Sequence, residues 1–326
     1  MTAAPVDQSE LAWFSERFGT VASNIERVIQ GKRGAIDLVV AALASEGHLL
    51  IEDVPGVGKT LLAKSLARSI DCGFQRIQFT PDLLPSDVTG VSVWDREAST
   101  FVFRPGPVFA NIVLGDEVNR AGPKTQSALL EAMEERQVTV DGVTRRLPPP
   151  FMVIATQNPI EHEGTYPLPE AQLDRFMMKV VIGYPSREKE LEILDTHGIK
   201  STYDALEPVI TGADVEAMVE VSRRIYVSLP VKQYLVDLVE ATRRDPDLLL
   251  GASPRATLFL QRAARTRAAV AGRHYVTPDD VKAILHPLLD HRMIMRPEAQ
   301  MRGASIEEIV DAIGQGVPVP GSRARA

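Results

Sequence analysis

The chain predicts an α/β fold: a parallel sheet with helices on both faces, followed by an all-helical second domain. Three observations carry this. Short apolar runs alternate with amphipathic helical patterns as far as Ser186, the signature of stacked strand–helix units. Beyond Tyr184-Pro185-Ser186 the strand-like runs stop and helical periodicity takes over. A length of 326 residues, 44% of them apolar, suits about two domains with a substantial core.

The elements follow in order. Leu11, Phe14, Phe18, Val21, Ile25 and Val28 recur at helical spacing, and Gly31 is expected as the C-cap. This helix, within residues 1–30, is expected to pack on a core spanning 31–186. A second helix over Gly34–Ala44 leads to a strand at His48–Glu52, then a loop, then a helix to about Ile70. Phe74–Phe79 reads as a strand. Pro and Gly punctuate residues 80–107, which enclose two strand-like runs, Val91–Trp94 and Thr100–Arg104, expected to form an inserted hairpin near 91–104. Asn111–Gly115 is a short buried strand, and Pro123 opens a helix to about Arg136. Asp141-Gly142 between Gln137–Val140 and Val143–Leu147 marks a second hairpin, near 137–147. Phe151–Thr156 and Met177–Ile182 complete the strands. Helical patterns then cover Arg187–Thr196, Ala213–Arg223, Val231–Arg243, Pro254–Ala271 and Pro278–Leu289, with Ser186 and Thr277 as N-caps. Residues 187–300 are thus expected as the helical domain. Residues 301–326 are expected to hold a helix near Ile306–Ile313 and a flexible tail.

Composition narrows the function classes. The net charge of −7 argues against binding nucleic acid through overall charge. One cysteine, Cys72, cannot form an internal disulfide, which fits a reducing cytoplasmic setting. The N-terminus shows no signal-peptide pattern, and the apolar stretch Ile36–Ile51 is broken by Asp37, Glu46 and His48, so no membrane span is expected. His286 and His291 are expected as surface or capping groups rather than metal ligands.

The chemistry concentrates around Val54-Pro55-Gly56-Val57-Gly58-Lys59-Thr60-Leu61, a loop between a strand and a helix. Glycines there let successive backbone N–H groups curl inward, and the helix dipole adds positive potential, so the loop is a phosphate cradle. Lys59 would reach the β and γ phosphates, and the Thr60 hydroxyl would ligate Mg²⁺. Asp53 stands where the usual pattern has glycine.

The strand Asn111–Gly115 ends in Asp116-Glu117. The first acid can hold the metal shell and the second can polarise a water, because adjacent residues at a strand end diverge. A solvated strand end is the competing reading. Asn158 closes another strand, where its amide can bond the γ-phosphate or the attacking water; a turn-forming Asn before Pro is the alternative. Ligands of open α/β sheets bind at the carboxyl ends of strands, which favours the functional reading. Arg175 precedes a strand and Arg255 opens a helix of the second domain. Either can supply the positive charge that phosphoryl transfer demands.

Taken together, these motifs resemble the MoxR family of AAA+ ATPases. The resemblance rests on the glycine loop, Asp116-Glu117-Val118-Asn119-Arg120, Ala155-Thr156-Gln157-Asn158-Pro159, Leu168-Pro169-Glu170-Ala171-Gln172-Leu173-Asp174-Arg175-Phe176 and Ser253-Pro254-Arg255. Arg76 to Asp87, Arg104-Pro105-Gly106-Pro107 and Gly272 to Val281 match as well, so it extends from about Val28 to Met295. It implies an AAA+ P-loop NTPase core with a helical lid, binding ATP and Mg²⁺. By this resemblance Val54 to Leu61 form Walker A, Asp116 and Glu117 Walker B, and Asn158 sensor 1. Arg255 is sensor 2 acting in cis, and Arg175 is the arginine finger of a neighbouring subunit. The first hairpin resembles the helix-2 insert of the clade, and both hairpins would face the pore or substrate side of a ring.

The resemblance further implies a homo-oligomer, most simply a hexameric ring. It would act as a chaperone-like remodeller with a von Willebrand factor A domain partner and a client complex, and metal-cofactor insertion is among the tasks implied. A nucleic-acid motor, a metal-chelatase motor subunit and a nucleotide-dependent scaffold are the competing readings. Acidity counts against the first. The presence of Glu117, Asn158 and Arg175 counts against the last.

Overall fold

The computed structural model of the chain describes residues 5–54, 56–158, 165–191 and 202–320. Helix α1 (Gln8–Glu26) opens with a reciprocal cap: Asp7 accepts from the Glu10 amide at 2.9 Å, and Glu10 accepts from the Asp7 amide at 3.0 Å. It ends at Glu26, not at a glycine cap. Val28 and Ile29 both donate to the Ile25 carbonyl at 2.9 Å, which closes the helix early and leaves Gly31, at φ 70°, to a later turn. Helix α2 (Arg33–Ala44) follows.

Five strands make the central sheet: β1 (Leu49–Glu52), β2 (Phe74–Gln78), β5 (Ile112–Asp116), β8 (Met152–Gln157) and β9 (Met178–Val180). Their order is β2-β5-β8-β1-β9, and every neighbouring pair is parallel. Helices α3 (Lys59–Ser69) and α5 (Pro123–Glu135) cover it, and the short α6 (Glu170–Leu173) precedes β9. That explains why β1, β5 and β8 read as continuous apolar runs: a parallel sheet buried on both faces has no polar side to alternate with.

Both expected hairpins form. After the short helix α4 (Pro85–Thr89), β3 (Gly90–Asp95) pairs antiparallel with β4 (Thr100–Pro105). Its root is pinched. A Cβ on Gly90 would lie 2.4 Å from the Arg104 carbonyl oxygen, and one on Gly106 would lie 2.3 Å from that of Val88. Its exposed residues include Trp94 and Phe101, packed edge to face at 5.2 Å. The second hairpin joins β6 (Gln137–Val140) to β7 (Val143–Arg146), with Asp141 and Gly142 both at positive φ, as a tight two-residue turn requires.

The C-terminal part departs from an all-helical expectation. Helices α7 (Gly212–Arg224), α8 (Leu229–Arg244) and α9 (Pro254–Val270) form as read, but β10 (Leu248–Leu250) pairs antiparallel with β11 (Ile294–Met295). The single helix expected over Pro278–Leu289 is two, α10 (Pro278–Lys282) and α11 (Leu285–Leu289). Pro287 lacks an amide to continue the ladder, and the break falls at Ile284. After α12 (Pro297–Met301), α13 (Ile306–Gly316) runs three residues past its expected end. Of the expected helix Arg187–Thr196, residues 192–196 lie outside the described residues, as do the last six residues of the tail.

A charged node and a helix seam are among the contacts that bind the helical part to the sheet-bearing part. Glu46 accepts from Arg136 at 2.5 Å and from Arg223 of α7 at 2.5 Å. Helix α1 packs on α2 and α3 and also on α9, where Ser15 donates to the Val270 carbonyl at 2.9 Å. Among the described residues, no helix is long and apolar enough to cross a membrane.

Candidate active site

The loop after β1 has the backbone of an anion cradle. Gly56 and Gly58 take φ of 85° and 93°, conformations that L side chains rarely adopt. A Cβ on Gly56 would meet nothing within 4 Å, so backbone conformation, not crowding, calls for glycine there. Gly58 is the N-cap of α3, and no side chain caps that end, so its first amides stay open to an anion. Lys59 and Thr60 open α3, Val57 and Leu61 pack against the core, and Val54 begins the loop. Pro55 lies outside the described residues.

Asp53, the departure from the usual pattern, has a structural task. One carboxylate oxygen accepts from the amides of Ile182 at 2.8 Å and Gly183 at 2.7 Å, and the other from Val54 at 2.8 Å. The acid staples the start of the loop to the segment after β9. Its own carbonyl receives Lys59 Nζ at 2.6 Å. Burial lowers the Lys59 pKa, while Asp116, Asp53 and Glu117 pull it the other way, so the lysine and both strand-end acids share one electrostatic field.

Asp116 ends β5 and Glu117 turns sharply at φ 57°, so the two carboxylates diverge as expected. Thr156 joins them: its hydroxyl donates to Asp116 at 2.6 Å and accepts from the Glu117 amide at 2.9 Å. Arg76 meets the second Asp116 oxygen at 2.6 and 3.0 Å. Gln78 donates to Glu117 at 2.8 Å, and Arg120 lies 3.3 Å from the same oxygen. Asn158 is buried just past β8, between the ends of β5 and β1. The structure thus gathers Lys59, Thr60, Asp116, Glu117 and Asn158 at the carboxyl edge of the sheet. The residues fit a nucleotide with Mg²⁺: a glycine cradle and open helix amides for phosphate, and hard oxygen donors on Thr60 and Asp116 for the ion.

Arg175 and Arg255 lie elsewhere. Glu134, at the end of α5, holds both: Arg175 at 3.2 Å and Arg255 in a close ion pair. Together they line a cleft of about 390 Å³ with His48 and Arg262. Met177 donates to the His48 carbonyl at 2.8 Å, which sets this cluster at the amino edge of the sheet. The four residues of β1, at about 3.3 Å each, separate it from the glycine loop. Arg255 therefore lies at the edge of the sheet away from its own subunit's glycine loop, not beside it as a role in cis would place it. Ser253, the N-cap of α9, donates to Asp174 at 2.8 Å, and this ties the start of α9 beside Arg175.

Four site neighbours were given no role from the sequence: Arg76, Gln78 and Thr156, which lie within the matching motifs, and Glu134. Polar Arg76 and Gln78 at i, i+2 on one face of a strand were the available signal for the first two. His291 also differs from expectation. It is buried, with Nε2 3.2 Å from the Phe176 carbonyl, and not a surface group.

Comparison with known proteins shows the family and the fold. Residues 48–178 match the model of the ATPase family associated with various cellular activities (AAA), and residues 240–313 match the AAA lid domain. The chain is 50% identical over 305 residues to the uncharacterized protein YeaC of Bacillus subtilis, covering 94% of this chain and 95% of that one. It is 42% identical to the chaperone MoxR1 of Mycobacterium tuberculosis, covering 91% and 80% respectively. A crystal structure described as an ATPase from Cytophaga hutchinsonii superposes with a TM-score of 0.89 at 38% identity, covering 95% of this chain and 97% of that one.

Proposed function

The chain belongs to the MoxR family of AAA+ ATPases, and from that premise we propose that it is a ring-forming, Mg²⁺-dependent motor that remodels partner protein complexes. One observation carries the ring: the phosphate cradle and the two arginines occupy opposite edges of the sheet. A single chain therefore offers half of each site, and a neighbour's Arg175 and Arg255 complete it. Six subunits, a von Willebrand factor A domain partner and metal-cofactor insertion belong to the same reading, as does a cytoplasmic setting.

Within the site, Gly56, Gly58 and the first amides of α3 hold the triphosphate, and Lys59 leaves the Asp53 carbonyl to reach it. Thr60 and Asp116 would hold the ion. Mg²⁺–ATP, when bound, would supply the electrophilic phosphorus and the cation that screens its charge. Glu117, braced by Gln78 and Arg120, orients the attacking water and takes its proton, and Asn158 aligns that water. The exposed, apolar Trp94–Phe101 hairpin on a chain of net charge −7 suits a protein client better than a phosphate backbone.

The test is complementation. Arg175→Ala subunits and Glu117→Gln subunits are each expected to be inactive, and their mixture to regain turnover, because mixed rings pair an intact Glu117 with a neighbour's intact Arg175. A mixture as inactive as its parts refutes the shared site.

A further inference from the structure

Arg292 lies in the seam between the helical part and the sheet, with 1% of its side chain exposed. Its Nε meets Asp174 at 3.0 Å. Its remaining nitrogens donate to the carbonyls of Met177 at 3.1 Å, Asp174 at 3.3 Å, Phe176 and Leu288. Burial pushes its pKa down to about 10, so it stays charged at neutral pH. A buried guanidinium is costly even when every donor is met, and an apolar seam would hold the two parts together more cheaply. What this one adds is geometry. The other oxygen of Asp174 accepts the Ser253 hydroxyl at 2.8 Å, and that hydroxyl accepts the Arg255 amide at 3.1 Å. Asp174 is therefore bonded to the cap of the helix that carries Arg255, and it directly precedes Arg175 in the chain. Glu134 then gathers both guanidinium groups.

We propose that Asp174, clamped between buried Arg292 and the capping Ser253, is a positioning residue that locks Arg175 and Arg255 into one rigid pair presented to the neighbouring subunit. The lock couples the helical part directly to the finger, so a movement of one subunit's lid is felt at the next subunit's phosphates. It rests on the reading that Arg175 and Arg255 act in trans.

The experiment uses the full chain carrying Asp174→Asn, Arg175→Ala or both. The readouts are affinity for a fluorescent ATP analogue, kcat and KM, and amide exchange without nucleotide. For Asp174→Asn, analogue Kd and KM are expected to stay within about twofold while kcat falls at least about tenfold. The double variant should be no slower than Arg175→Ala alone, because both changes remove one function. Exchange should quicken over residues 174–177 and 253–256 and stay unchanged over 59–63. Parent-like kcat, multiplied losses in the double variant, or quickened exchange over 59–63 each overturn the lock. Arg292→Lys, which keeps the charge but loses the planar fork, must give the same signature, and it carries the test if Asp174→Asn does not fold. Parent-like kcat in Arg292→Lys overturns the lock as well. Failure of the Arg175→Ala and Glu117→Gln mixture would sink the shared site, while the exchange pattern still decides the lock.

Discussion

Lys59 points its ammonium at the carbonyl oxygen of Asp53, 2.6 Å away, so the glycine loop closes on its own cation. The contact holds the lysine, desolvated and near three acids, at the mouth of the cradle. Lys59→Ala is expected to weaken ATP binding about 10- to 100-fold, the worth of one charge-assisted hydrogen bond. Titration with a fluorescent ATP analogue measures it, and unchanged affinity would overturn the phosphate assignment.

Glu117 sits at positive φ with its carboxylate held by Gln78 and Arg120, aimed for one task. Glu117→Gln keeps shape and hydrogen-bonding reach but cannot take a proton. Nucleotide binding should persist and turnover fall by about 10² or more, as loss of a general base predicts. Parallel binding and phosphate-release assays check it.

Arg255→Ala should resemble Arg175→Ala and not Lys59→Ala, because Arg255 shares Glu134 with Arg175. Each loss should leave nucleotide affinity intact and cut assembly-dependent turnover, by as much as about 10³-fold for the finger. An Arg255→Ala variant with lost affinity and a fully active neighbour in mixed rings would restore the cis role.

Asp53→Gly brings the loop closer to the usual pattern yet is expected to harm the protein. It removes the acceptor for the Ile182, Gly183 and Val54 amides, at a cost of about 2 kcal/mol for hydrogen bonds to a charged group. A Tm lower by about 3 °C should follow in thermal unfolding. A parent-like Tm would show the staple to be idle.

Stability should fall with acid through His48. Burial drives its pKa from 6.5 to about 4, while Nε2 faces the Met133 carbonyl at 3.0 Å and Nδ1 receives the Val153 amide at 2.9 Å. The folded chain thus requires the neutral ring. The unfolded chain binds the proton first, so the contribution is full above pH 6.5 and is lost as pH falls toward 4. Its size is up to about 3 kcal/mol. Buried His291 acts in the same direction. Urea midpoints from pH 7 to 4.5 should drop steeply in the parent and less in His48→Gln.

Much of this was legible in the residues. The parallel sheet announced itself through apolar runs that only a doubly covered sheet tolerates, and Asp141-Gly142 dictated its turn. What escaped reading was set by distance along the chain. Thr156 reaches Asp116 across 40 residues and Arg292 reaches Asp174 across 118, and neither contact leaves a local period. The ribbon of Leu248–Leu250 with Ile294–Met295 was too short to separate from helical surroundings. The position of Arg255 depends on how α9 docks, which Ser253 and Asp174 decide across 79 residues.

The pinched root at Gly90 and Gly106 leaves the first hairpin no slack where it enters the body. It behaves as a cantilever built into a wall. A load on Trp94 and Phe101 is not absorbed at a hinge; it becomes a bending moment on α4. Thr125, near the start of α5, grips the Leu83 carbonyl beside α4 at 2.6 Å, and Glu134 lies at the far end of that helix. A contiguous path of packed elements therefore runs from the aromatic tip through α4 and α5 to Glu134 and the arginine pair it holds.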